Sequence, residues 1–258
     1  MVPLLVFGGI LFVIGVITTL VGLKNYKRRQ RIITTPTSPI GQAPGNGPVE
    51  IKGRIVASEQ GVLQTPFSGR HAVWCRITVQ EHRSSGRSSY WATVVNEVDQ
   101  RPFMVDDGSG QMARIMPQGA NVILDAQQVA SSGTFNDAAP HLQGFLASRG
   151  ISTTTFLGFN KSMRYTEEVL SPNDPLYALG PSRRDPGPPV NDGYRMAPSS
   201  QLTLFAVPGD AGELILTNKS EEQLVSRLLW GFVGGLVLMG LGLGLGLVGV
   251  VVAIVEEL

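Results

Sequence analysis

Two long apolar stretches, one at each end of the chain, constrain its architecture more than any other feature. Val2–Leu23 and Leu228–Val255 carry no charged residue over 22 and 28 positions. A helix needs about 20 apolar residues to cross ~30 Å of hydrocarbon, so both read as transmembrane helices. A secretory signal peptide is the competing reading of the first. It needs a basic segment before the apolar run and a small-residue cleavage site after it. Val2 is preceded only by Met1, and no A-x-A-like site follows. An uncleaved anchor fits better.

The flanks orient the anchors. Lys24, Lys27, Arg28, Arg29 and Arg31 follow the first stretch, and such clusters stay on the cytoplasmic side. They also suit anionic headgroups, each adding about 1 kcal/mol near the surface. Asn218–Glu221 and Ser220–Gln223 both fit a capping box before the second stretch, Trp230 suits the interface, and Glu256 and Glu257 follow with no basic residue. The expected topology puts both termini outside and the middle inside. Neither stretch holds an ionisable residue, which argues against an ion or proton path.

Both stretches are rich in glycine. Gly8, Gly15 and Gly22 recur every seven residues, and the second offers Gly231-x-x-x-Gly235, Gly240-x-x-x-Gly244 and Gly242-x-x-x-Gly246. Small residues at these spacings let helix backbones approach closely in lipid. Gly8, Gly15, Gly22, Gly231, Gly235, Gly240 and Gly244 are therefore the candidate packing positions, for one helix against the other or for a homo-oligomer.

Charged residues make up 16% of the chain, below the usual quarter, because the ends lack them; the middle has an ordinary globular composition. The net charge of +1 gives no general attraction to nucleic acid. Cys75 is the one cysteine, so no internal disulfide, Cys-rich zinc site or dithiol pair can form.

After the basic cluster, residues 24–48 read as a juxtamembrane segment and linker, ending in the Thr/Pro/Ser/Gly-rich run Ile33–Pro48. Residues 49–217 then switch to period-two patterning. Ile51, Gly53 and Ile55 alternate with Lys52 and Arg54; Val73, Cys75, Ile77 and Val79 alternate with Trp74, Arg76, Thr78 and Gln80. Such alternation predicts half-buried strands. Arg83–Ser89 reads as a hairpin loop, and Asp106–Gly110 as a second turn marked by Asp-Gly. Further strands are expected at Val122–Leu124, Met163–Leu170, Leu176–Leu179, Leu202–Val207 and Glu213–Leu216. One helix is expected at His141–Arg149, and Pro181–Ser200, with five prolines, reads as a surface loop. The fold class is mainly β: a small barrel-like (OB-like) or sandwich domain with one short helix, between helices at 2–23 and 218–255.

The runs IKGRIVASEQGVLQTPFSGRHAVWCRITVQEH, PFMVDDGSGQMARIMPQGANVIL and MRYTEEVLSPNDPLYALG resemble the GIDE family, also called BAM for beside-a-membrane. The resemblance covers Val49–Leu216, with Tyr165–Leu170 and Pro175–Gly180 its most specific pieces, and it implies a β-rich domain between two helices. Similar eukaryotic members add a RING finger and are ubiquitin ligases. A RING requires about eight Cys and His zinc ligands; one Cys and three His are present here, and three residues follow the second apolar stretch. The ligase activity is therefore not expected to transfer. Members without the RING are mainly prokaryotic, so the resemblance implies a prokaryotic plasma membrane.

No constellation reads as catalytic, metal-binding or cofactor-binding. Cys75 lies on the inward row and reads as a small buried hydrophobe. His71 and His82 lie near opposite ends of one strand, too far apart to share a metal. Asp106 and Asp107 could suit a hard cation but equally serve a turn. Glu167 and Glu168 point to opposite faces. The loop serines 68, 84, 85, 88 and 89 lack a nucleophile elbow, and no phosphate loop or dinucleotide fingerprint appears. The binding candidates are Trp74 and Trp91 on outward rows, with Arg83 and Arg87, and Arg70, near loop ends. The expected role is a non-catalytic scaffold or sensor binding the lipid bilayer or a membrane-associated protein. The alternatives are a ligase-like transferase, a membrane hydrolase, or an oligomeric scaffold built on the glycine faces.

Overall fold

The computed structural model describes residues 2–133, 137–155, 158–191, 196–209 and 212–257. The chain divides into two compact units, one from Met1–Pro36 with Lys219–Leu258 and one from Thr37–Asn218.

The first unit is a pair of helices, α1 (Val2–Thr34) and α3 (Glu221–Glu257). Both are long and apolar enough to cross a membrane. Ser220 caps α3: its carbonyl takes the Leu224 amide at 3.0 Å and its hydroxyl accepts the Gln223 amide at 3.4 Å. α1 does not stop at Leu23. It carries Lys27, Arg28, Arg29 and Arg31 on continuous helix as far as Thr34, so part of the expected linker is helical. Long basic side chains have good helix propensity, and nothing before Pro36 breaks the run. The side chains of Lys24, Trp230, Gly231, Glu256 and Glu257 lie outside those described.

The helices run antiparallel: a Cβ on Gly8 would meet Gly246, one on Gly15 would meet Met239, and one on Gly235 would meet Thr19. Gly8, Gly15 and Gly22 are all buried, so the seven-residue spacing marks the contact face of α1. On α3 the buried glycines are Gly235, Gly242 and Gly249, again seven apart. Gly240 and Gly244 are exposed, and a Cβ on either meets nothing within 4 Å. They are not part of this helix pair. Two glycine frames coexist on α3, and only one faces α1.

The second unit is built on strands. β1 (Asn46–Val56), β6 (Phe103–Asp106), β7 (Met112–Met116), β12 (Met196–Phe205) and β11 (Pro175–Asn191) pair in that order, and β11 pairs again with β1. The five strands thus form a hydrogen-bonded ring. All its pairings are antiparallel except β7 with β12. The domain is mainly β with few helices, as the alternating rows led one to expect. β13 (Ile215–Thr217) and β8 (Asn121–Val122) extend the sheet from β11. Inside lie Ile51, Ile55, Phe103, Val105, Ile115, Leu202 and Leu204, all at most 1% exposed.

Between β1 and β6 the chain inserts a small hairpin, β2 (Leu63–Gln64) with β3 (His71–Ala72), and two long strands, β4 (Trp74–Ser85) and β5 (Ser88–Gln100). These join a second sheet in the order β5-β4-β10-β9, with β10 (Met163–Leu170) and β9 (Gln127–Ser132). Helix α2 (Pro140–Ala147) covers it with Leu142 and Leu146, and its Phe145 meets Phe67 edge-on at 5.0 Å.

The proline-rich stretch is not a loop. Apart from 192–195, which lie outside the described residues, Pro181–Ser200 belongs to the long hairpin β11–β12. The register shifts between Gly187 and Val190, so Pro188 and Pro189 sit in an irregularity. Strands tolerate proline at such places because no ladder donor is required there.

Candidate functional site

The β4–β5 hairpin outruns its sheet. β10 stops pairing with β4 at Met163–Glu81, and the last rung there is the His82 amide to the Ser162 carbonyl at 2.8 Å. Beyond it, His82 pairs with Trp91, Arg83 with Tyr90, Ser84 with Ser89 and Ser85 with Ser88. The turn is two residues, Gly86 and Arg87, and Gly86 holds φ +59 at the first central position. A side chain is strained in that region, which explains the glycine. Every residue from His82 to Trp91 is exposed. The result is a two-stranded arm whose tip carries Arg87.

Three of the expected surface residues, Trp91, Arg83 and Arg87, therefore share one feature. Trp91 is 38% exposed and Tyr90 53%. The Arg164 guanidinium lies 3.9 Å over the Trp91 ring, and His82 flanks the same ring at 5.1 Å. Arg83 bonds Glu81 at 3.2 Å, which pushes its pKa further up, and Lys161 meets the other oxygen of Glu81 at 3.2 Å. Arg83 and Lys161 share the one Glu81 carboxylate, while Arg164 stacks on Trp91. The base of the arm is cationic and amphipathic. Arg164 and Tyr90 were missed from sequence; only the strand pairing brings them to Trp91 and Arg83.

Two expected members fall elsewhere. Trp74 is 2% exposed and belongs to the main core with Val73 and Leu170. The period-two rule assigned it outward, but the ring core covers one face of β4 at its start and the β2–β3 hairpin, with Leu63 and Ala72, covers the other. Arg70 bonds Gln127 at 3.2 Å and Ser171 at 3.4 Å, at the end of β10 opposite the arm.

Remaining polar candidates have structural partners. Burial pushes the Cys75 thiol up to about 11, with the Asp99 carboxylate adding to the effect. It packs with Leu63 and Ala72. A protonated, enclosed thiol is a poor nucleophile. Iodoacetamide is expected to modify Cys75 only as the β unit unfolds in denaturant; rapid alkylation of the native protein would contradict this placement. Glu167 is 2% exposed and accepts the Phe67 amide at 2.8 Å and the Ser68 hydroxyl at 2.5 Å, fixing the β2–β3 loop. Glu168, on the other face, pairs with Arg76 at 2.8 Å. Glu50, also buried, takes the Tyr177 hydroxyl at 2.6 Å and lies 3.2 Å from Lys52. Asp106 accepts the Gly108 amide at 2.8 Å, and Asp107 accepts Ser109 at 2.9 Å and Ile40 at 2.7 Å. Burial alone would raise the Asp107 pKa; these bonds outweigh it and hold the carboxyl below its usual value. Both aspartates are turn-formers. Among the described residues no group of three His, Cys, Asp or Glu is placed to hold a metal.

One feature has no counterpart in the sequence reading. An open trough of about 1200 Å³ crosses the outer face of the ring, over β6 and β7. Met104, Met112, Arg114 and Met116 form its floor.

The succession of a long helix after this β unit is reflected in sequence comparison: a family model described as GIDE, E3 Ubiquitin ligase, matches residues 76–248, from β4 into α3. The chain belongs to the GIDE family. No curated protein matches it, and no solved structure does. GIDE membership and the two apolar helices together fit a membrane-associated domain. The matched region does not hold the Cys and His complement of a RING, since the whole chain has one Cys and three His.

Proposed function

We propose that this GIDE-family chain is a non-catalytic scaffold or sensor, tethered by both helices to a membrane, whose β4–β5 arm engages the anionic lipid surface. The observation that carries the reading is the arm: exposed Tyr90 and Trp91 set among Arg83, Arg87, Lys161 and Arg164. Aromatic rings suit the headgroup layer, and cations near an anionic leaflet gain about 1 kcal/mol each. The basic end of α1 supports a cytoplasmic β unit with both termini outside, and the resemblance supports a prokaryotic plasma membrane. The exposed Gly240–Gly244 edge of α3 supports association with a second copy.

The test uses the full chain in phosphatidylcholine nanodiscs with and without phosphatidylglycerol. Ser88 is replaced by cysteine and labelled with an environment-sensitive dye; Cys75 is buried and stays unlabelled. Phosphatidylglycerol is expected to shift the dye emission to the blue and to protect Arg87 from trypsin. Arg83→Glu with Arg87→Glu should abolish both effects. A dye that stays water-exposed over phosphatidylglycerol would overturn the lipid reading. Burial seen only in native membranes would assign the arm to a protein partner instead.

A further inference from the structure

The outer face of β6 and β7 departs from the usual pattern of half-buried strands. Inward residues Phe103, Val105, Ala113 and Ile115 are all 0% exposed. The outward row, where polar side chains are the norm, is Met104, Met112, Arg114 and Met116. Met112 is 44% exposed and Met104 and Met116 are half-buried. Strand pairing sets Met104 beside Arg114, so the two rows form one surface. Its walls come from distant parts of the chain. Ser58 and Gln60 follow β1 on one side; Pro186, Gly187 and Ser200, from the β11–β12 hairpin, stand on the other.

We infer that this trough is a binding site for an extended peptide carrying a carboxylate beside large aliphatic side chains, supplied by a membrane-associated partner. The position supports a ligand site independently of the cavity. In OB-type barrels, ligands lie across the second and third strands of the ring, between the loop after the first strand and the hairpin of the last two. Here those elements are β6 and β7, the segment after β1, and β11–β12. That correspondence is a fold-level analogy, and it says where rather than what.

The lining decides the chemistry. Oligonucleotides held on such faces stack on aromatic platforms, and among the described residues that line the trough none is Phe, Tyr, Trp or His. A volume of about 1200 Å³ exceeds the ordinary range for a compact small molecule, roughly 300–1,000 Å³. Unbranched, polarisable methionines accept varied aliphatic groups and are frequent on peptide-binding surfaces. The strands of the floor, β6 and β7, already have a neighbour on both sides, so a peptide lying across them is held by its side chains rather than as an extra strand. The charge is positive: Arg114 and Arg184 stand against Glu59. Arg184 spends its hydrogen bonds on the Gly41 and Ala43 carbonyls, which leave its charge uncompensated. Asp185, next to Arg184, is engaged by Arg183 at 2.9 Å and also feels the Arg114 charge, so Arg114, Arg183 and Arg184 stand against two carboxylates, Glu59 and Asp185, which leaves one positive charge in excess.

The experiment selects a random-sequence displayed peptide library against the full chain in nanodiscs, with oligothymidylate and maltohexaose as competing probes. Enriched peptides are expected to share an acidic residue beside Leu, Ile or Met. Anisotropy titration of one such peptide should weaken about tenfold, or ~1.4 kcal/mol, in Arg114→Glu, and also weaken in Met112→Gln. Replacing the peptide's carboxylate by lysine should restore binding to Arg114→Glu. Both residues lie on the outward row, and unchanged thermal unfolding confirms that the variants fold. Absence of enrichment, binding indifferent to both substitutions, or preference for oligothymidylate or maltohexaose would overturn the inference. None of these outcomes bears on the arm, which shares no residue with the trough.

Discussion

Trp74→Ala is expected to lower the melting temperature of the β unit by about 10 °C or more, while Trp91→Ala changes it by no more than a few degrees. Trp74 is the largest fully buried side chain among the described residues, at 2% exposure. It lies where β4 leaves the ring core: Val73, Trp74 and Leu170 share one cluster with Ile51, Phe103 and Leu176. Truncating a buried aromatic removes its transfer free energy and leaves a cavity, together about 3–5 kcal/mol. Domains of this size hold roughly 5–15 kcal/mol in total, and each kcal/mol moves the midpoint by about 2–4 °C. The Arg76 guanidinium, 5.2 Å from the ring centroid, would also lose its cover. Trp91 is 38% exposed and loses little beyond its contact with Arg164, about 0.5–1 kcal/mol. Thermal melts of the full chain in detergent, followed by the β signal in circular dichroism, separate the two. Equal shifts would mean that Trp74 is not core.

Trp74 also shows why period-two patterning is incomplete evidence. Alternation identifies Cys75, Ile77 and Val79 as one row, and all three are buried. It does not show whether the opposite row meets water or another layer. At Trp74 a second layer covers the strand; at Trp91, beyond the last rung with β10, none does. The arm residues Arg83, Arg87 and Trp91 were legible because a hairpin brings sequence neighbours together. The trough was not legible, since its floor and walls come from β6–β7, the segment after β1 and the β11–β12 hairpin, which only the closed ring brings together. The proline-rich stretch misled for a local reason. Proline excludes a ladder donor, but at Pro188 and Pro189 the register shift between Gly187 and Val190 removes the need for one, while Pro181 and Pro186 stay in register.

The second large effect concerns the helix pair. Gly242→Leu is expected to separate α1 from α3, whereas Gly240→Leu and Gly244→Leu leave the pair intact. A Cβ on Gly242 would lie 2.5 Å from the Phe12 amide nitrogen and 2.9 Å from the Gly8 carbonyl oxygen. Both are backbone atoms of the opposing helix and cannot turn aside as a side chain could. Overpacking of this kind costs typically about 1–3 kcal/mol, and lipid supplies no hydrophobic force to hold the helices together, only packing and polar contacts. Gly15→Leu should act alike, since its Cβ would meet the Met239 amide at 2.5 Å. Gly240 and Gly244 have open space, so a Leu there can affect only association between copies. Spin labels on cysteines replacing the exposed Val6 and Val248, in a Cys75→Ala background, report the interhelical distance. A longer, broadened distribution is expected for Gly242→Leu and Gly15→Leu, with the parent distribution for Gly240→Leu and Gly244→Leu. The reverse pattern would mean that α3 turns its other glycine frame towards α1. Sequence spacing allows either frame; the backbone clearance at Gly242 selects one.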